Sequence, residues 1–158
     1  MQGVQAAIAA ARVQLYIDLA ASANGNSLNL LQTIKGIGPY TAASIIGEIQ
    51  DIHNFKSAKA LIAFAGLDPK IRQSGKTLNS TGRLTKRGST YLRRSIFISA
   101  NVARQYDPQF KALYDKKRTE GKSYTVATCV VARKLLKVVR AVWLSGKPYT
   151  IPESFQLT

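Results

Sequence analysis

The stretch SLNLLQTIKGIGPYTAASIIGEIQDI, residues 27–52, decides the fold. Ser27 suits the cap of a short helix carrying Leu28, Leu30 and Leu31. Ile34, Gly36, Ile37 and Gly38 make a tight apolar turn, and Pro39 suits the first position of a second helix that runs to about Gln50.

The pattern resembles a helix-hairpin-helix, a motif of many DNA-repair and recombination proteins. Its physics fits the residues present. Glycines at 36 and 38 would let a phosphate approach the backbone, and the free amides at the start of the second helix would donate to it. The alternative is an αα-hairpin used for packing alone, because Lys35 is the one cation close to the turn.

Upstream, residues 5–22 are rich in alanine and other good helix formers, with Ile8, Ala11, Leu15 and Leu19 forming one stripe. This predicts a helix whose apolar surface packs on the domain or on a partner helix, ended by Asn24, Gly25 and Asn26. Downstream, Ser57 suits the cap of a helix through Ala65, stopped by Gly66. The density of Ser, Thr and Gly between Asn79 and Gly88 argues for a loop, and helix resumes from about Ser89 to Arg104 with Leu92, Ile96, Ile98, Ala100 and Val102 available to the core. Asp107 and Pro108 signal a helix from Gln109 to Thr119 closed by Gly121. The longest helix spans Ser123 to Leu144, with Arg133, Lys137 and Arg140 on one face. Lys147, Pro148 and Tyr149 would end it, leaving a loosely held tail. The prediction is therefore an all-α domain with a helix-hairpin-helix-like unit and an irregular basic loop insertion.

Charge is segregated along the chain. Of 158 residues, 23 are Lys or Arg and 8 are Asp or Glu, giving a formal charge of +15. Residues 1–68 hold four of each sign and net to zero, so the whole excess lies in residues 69–158. Residues 69–106 carry Lys70, Arg72, Lys76, Arg83, Lys86, Arg87, Arg93, Arg94 and Arg104 without one acidic residue, interleaved with Ser, Thr and Gly. Cations supply salt-dependent attraction to phosphates, and hydroxyls and glycine amides donate at short range, so the segment suits a nucleic acid. A solvated basic face is the plainer alternative. The single Cys129 lies in an apolar run, makes no disulfide framework, and fits a reducing compartment such as the cytoplasm. The N-terminus has neither a basic leader nor an uninterrupted apolar span, so no membrane partner is expected. His53, the lone histidine, reads as structural or exposed.

The ordered set LLQTIKGIGPYTAASIIGEI, KALIAFAGLDPKIRQSGK, LTKRGSTYLRRSIFISA and KPY resembles the C-terminal transposase domain of the insertion-sequence family that contains the Piv-type DNA invertases and the bridge-RNA-guided recombinases. The resemblance divides the chain into the end of a connecting, coiled-coil-like helix at 1–26, the transposase domain at 27–149 and a loose tail at 150–158. It implies DNA as partner, a guide RNA as a further candidate, and homo-oligomers formed through the N-terminal helix of the full-length protein. It also implies that Ser74 in QSGK is a nucleophile toward a DNA phosphodiester, with Arg72 and Lys76 beside it for the phosphate. The acidic residues and Mg²⁺ of the composite site would belong to a RuvC-like domain outside this chain, so no metal is expected on its own residues and little activity from it alone. Nucleic-acid contacts are expected from Gly36, Gly38, Arg72, Lys76, Arg83, Lys86, Arg87, Arg93 and Arg94. A non-catalytic helix-hairpin-helix protein that grips DNA or RNA, with Ser74 incidental, remains the alternative.

Overall fold

The computed structural model describes residues 1–22, 25–68 and 87–155, apart from the side chains of Gln2, Tyr16 and Ala20. Seven α-helices follow in order among these residues: α1 (Gln2–Ala21), α2 (Gly25–Gln32), α3 (Pro39–Ile49), α4 (Ala58–Phe64), α5 (Thr90–Tyr106), α6 (Pro108–Thr119) and α7 (Tyr124–Ser145). Short 3₁₀ turns lie at Ile52–Asn54 and Glu153–Phe155, and no strand occurs among the described residues. The domain is all-α, as its hydrophobic spacing requires.

Helix α7 is the centre. Its buried residues Val131, Leu135, Val139 and Val142, with Ala132 and Leu136, follow the three- and four-residue spacing of one helical face. That face packs against α5 and α6 and touches α2 and α4. Leu135 is completely buried, so Leu135→Ala would leave a cavity at the centre, a class of change that costs about 2–5 kcal/mol. Cys129 lies in the same core, and burial raises its thiol above the ordinary cysteine range, which keeps it protonated.

Local signals set most boundaries. Ser57 Oγ accepts from Ala60 N, Ser89 Oγ from Leu92 N, Asp107 Oδ1 from Gln109 N and Ser123 Oγ from Val126 N, so four helices begin at side-chain caps. Pro39 and Pro108 stand in the first turns of α3 and α6, where their missing N–H costs nothing. Helix α4 ends with Gly66 at φ +66°, while Leu67 N donates back to Ile62 O and the Leu67 side chain is fully buried.

Three expectations need correction. Gly25 and Asn26 do not break the chain but begin α2, so Ser27 lies inside that helix rather than capping it. Helix α1 ends at Ala21 with Ser22 extended, and Asn24 lies outside the described residues. Ile98 is half exposed, because the buried positions of α5 are Leu92, Ile96, Ser99, Ala100 and Ala103, and a residue two places from Ile96 points roughly 200° away. Gly146, in the left-handed region, ends α7 before Lys147. Tyr149, the last residue of the 27–149 unit, is anchored: its N–H donates to Thr33 Oγ1 at 2.8 Å and its hydroxyl to Asp107 Oδ2 at 2.8 Å.

Helix α1 meets α2 and α3 and packs Leu19 against the core. Val4, Ile8, Val13, Leu15 and Ile17 stay exposed, so the described residues leave much of its apolar surface uncovered. None of the described helices is long and apolar enough to cross a membrane.

Candidate nucleic-acid interface

The two hairpin glycines play different parts. Gly36 has φ +93°, and a Cβ there would stand 2.5 Å from Ser99 O and 2.7 Å from Ala103 N. Glycine therefore lets the turn seat directly on α5, whose small residues at that crossing are Ser99 and Ala103. Gly38 has φ −88° and ψ 176°, which any residue adopts, and a Cβ on it would meet nothing within 4 Å. It caps α3 through its carbonyl, which accepts from Ala42 N at 2.8 Å, and no side chain caps that end. The start of α3 thus presents backbone donors beside open space.

The described ends of the basic segment converge. Leu67 and Asp68 leave the C-terminus of α4, and Ser89 N returns to donate to Phe64 O at 2.8 Å. This closure depends on Gly88, at φ +115°, where a Cβ would fall 2.0 Å from Phe64 O. Ser89 then joins three helices: its backbone meets α4, its Oγ caps α5, and the same hydroxyl donates to Glu48 of α3 at 2.5 Å. Arg72, Ser74, Lys76, Arg83 and Lys86 lie outside the described residues.

The arginines of α5 divide by role. Arg93 is half-buried; its guanidinium donates to Ala65 O and Thr90 Oγ1, each at 3.2 Å, and so holds the end of α4. Arg94 and Arg87 are exposed. Arg104 lies over the rings of Tyr114 and Tyr124, 4.3 and 5.4 Å from their centroids, tying α5 to α6 and α7. On α7, Arg140, which shares a face with Arg133 and Lys137, donates to the carbonyls of Phe55 and Lys56 and so ties α7 to the segment before α4.

Arg94 lines a groove of about 620 Å³ between α1, α3 and α5. Arg12, Tyr40 and Tyr91 border it as well, and Thr41, Ser44 and Ser95 supply hydroxyls. Ser44 and Ser95 meet at 2.8 Å and join α3 to α5 there. Arg12, Tyr40 and Tyr91 were not among the residues expected from sequence; the only available signal was an aromatic residue, Tyr91, set among the cations of the basic segment.

Among the described residues no three His, Cys, Asp or Glu side chains come together to hold a metal ion. His53 Nδ1 lies 2.8 Å from Asp51, whose carboxyl is held below its usual range by the His53 backbone N–H and then by the ring.

Residues 28–115, from α2 into α6, match the model of the IS116/IS110/IS902 transposase family. The chain belongs to this transposase family. It is 31% identical over 120 residues to the 43.6 kDa protein of insertion element IS110 from Streptomyces coelicolor, covering 76% of this chain and 29% of the relative. It is 32% identical over 123 residues to the pilin gene-inverting protein of Moraxella bovis, covering 77% and 38%. A 34% identical match over 114 residues to the 42 kDa protein of insertion element IS900 from Mycobacterium paratuberculosis covers 72% and 28%. Matches therefore take in about a third of each of these curated relatives. In the transposase family's matched span fall the hairpin, the groove-lining parts of α3 and α5, and all of the basic segment.

Proposed function

We propose that the chain is the DNA-binding and strand-exchange part of a transposase or site-specific recombinase and contributes Ser74 to a composite active site. The observation that carries this reading is the coincidence of the family span, residues 28–115, with a run of nine cations and no acid at residues 69–106. The resemblance to the pilin gene-inverting protein supports DNA rearrangement as the chemistry. In the proposed step, Ser74 Oγ forms a bond to phosphorus as its proton passes to a base. The bridging P–O bond breaks, and the departing oxygen takes up a proton. Arg72 and Lys76 neighbour Ser74 in sequence and would offset charge on the phosphoryl oxygens. The acidic residues and Mg²⁺ would come from elsewhere in a longer protein, with residues 27–149 as the transposase unit and residues 1–26 as the end of a connecting helix.

The test has two parts. Binding of this chain to duplex DNA should weaken steeply with salt, by roughly 0.9 log units per log unit of salt for each phosphate neutralised. In the full-length protein, Ser74→Ala should abolish strand cleavage and the covalent protein–DNA adduct while DNA affinity persists. An adduct that survives this change, or maps to Ser80 or Ser89, overturns the nucleophile assignment and leaves a binding protein.

A further inference from the structure

We infer that the groove between α1, α3 and α5 takes up an unpaired nucleotide, stacking its base on Tyr40 and Tyr91 while Arg12 and Arg94 meet the flanking phosphates. The inference rests on the nucleic-acid reading above and adds to it a site that reads single-stranded or flipped-out residues. Tyr40 and Tyr91 are 52% and 72% exposed among the described residues. Both border one concavity with two arginines. That combination of aromatic faces and guanidinium groups is how proteins hold unstacked bases, since every base offers a π face and every linkage a charge.

The dimensions agree. About 620 Å³ falls within the roughly 300–1,000 Å³ typical of small-ligand sites. Leu15 and Ile98, each about half exposed, give the walls an apolar lining suited to a base, and Thr41 and Ser95 add hydroxyls for its edge. Glu48, which also lines the groove, accepts from Ser89 Oγ at 2.5 Å, so its carboxylate is engaged by the protein. The walls are preorganised: Ser44 and Ser95 bridge α3 to α5 at 2.8 Å, and Leu19 holds α1 to the core. A duplex keeps its bases stacked inside, so it would use the arginines but not the rings.

The experiment titrates the 158-residue chain with single-stranded DNA, single-stranded RNA and duplex DNA, the single strands carrying one central 2-aminopurine. Stacking should quench the probe fluorescence on one or both single strands. The double substitution Tyr40→Leu with Tyr91→Leu should remove the quenching and lower the ratio of single-strand to duplex affinity roughly tenfold or more. Tyr40→Phe with Tyr91→Phe, which keeps both rings, should retain it. Should the double Leu variant fail to fold, Tyr91→Leu alone, at the more exposed position, gives the same readout. Which single strand responds identifies DNA or RNA as the source. Salt-dependent duplex binding combined with no quenching, or with quenching unchanged by the Leu substitutions, overturns the groove inference and leaves the binding reading standing. Absence of all nucleic-acid binding overturns both.

Discussion

The hydroxyl of Tyr149 donates to Asp107 Oδ2 across 2.8 Å, while Oδ1 of the same carboxylate caps α6 by accepting from Gln109 N. Gln109 Nε2 also reaches the phenol oxygen, and the Tyr149 N–H meets Thr33 Oγ1. Asp107 is 1% exposed, so Tyr149→Phe leaves a buried carboxylate oxygen without its donor and should lower stability by about 1–3 kcal/mol in urea unfolding. The pH dependence is an independent check. Burial first, then the bond to Asp107, raise the phenol's pKa, so the folded state holds its proton longer than the unfolded chain, whose tyrosine titrates near ~10. The stabilising contribution is complete below that value and declines as pH rises above it, so the gap between the wild-type chain and Tyr149→Phe should narrow above pH ~10.

Gly36→Ala should be severe, because the new Cβ meets the backbone of Ser99 and Ala103 at a positive φ; a loss of roughly 1–3 kcal/mol or more is expected. Gly38→Ala should change the melting temperature little, since its backbone is ordinary and its surroundings are open. If phosphate approaches the start of α3, the same change should weaken nucleic-acid binding. Equal affinity for Gly38→Ala and the wild-type chain would make the turn a packing device alone.

Arg93 and Arg94 are adjacent in sequence and should separate in experiment. Arg93→Ala removes the donor to Ala65 O and should reduce stability by about 1 kcal/mol. Arg94→Ala should leave the unfolding curve within about 0.5 kcal/mol and lower the salt dependence of DNA binding by about one phosphate contact. Paired urea and salt titrations of the two variants check both.

At the end of α3, Asp51 N donates to Ile49 O at 2.7 Å around Gln50, which has φ 58° and ψ −67°. This is the strained form of the γ-turn, and a side chain with a Cβ bears the strain. Gln50→Gly should therefore raise stability, by about 1 kcal/mol after the greater freedom of glycine in the unfolded chain is allowed for. Thermal unfolding of the single variant is sufficient.

Helix positions were legible because their signals are local. Ser57 and Asp107 cap where their types and the following apolar periodicity say they should, and the helices expected from about Ser89 and Ser123 start beside those serines. Gly25 and Asn26 misled because small polar residues favour turns in isolation, while burial of Leu28, Leu30 and Leu31 draws both into a helix. Roles that depend on distant partners were not legible. That Gly36 seats on Ser99 and Ala103, and that Arg93 donates to Ala65 O, could not be read from the residues beside them. Nothing in the spacing of Arg12, Tyr40 and Tyr91 announces a shared groove, because each comes from a different helix.

The bond from Tyr149 to Thr33 joins residues 116 positions apart. A ribosome adding residues in order must therefore complete α7 and pass Gly146 before the hairpin of α2 and α3 can receive its last contact. Until then Thr33 and Asp107 await Tyr149, and the nascent domain lacks the contact that ties the end of α2 and the start of α6 to the segment after α7. Closure over so long a separation is slow relative to local helix formation. Premature termination between Gly146 and Tyr149 would thus yield a chain with the seven described helices encoded and this fastening lost.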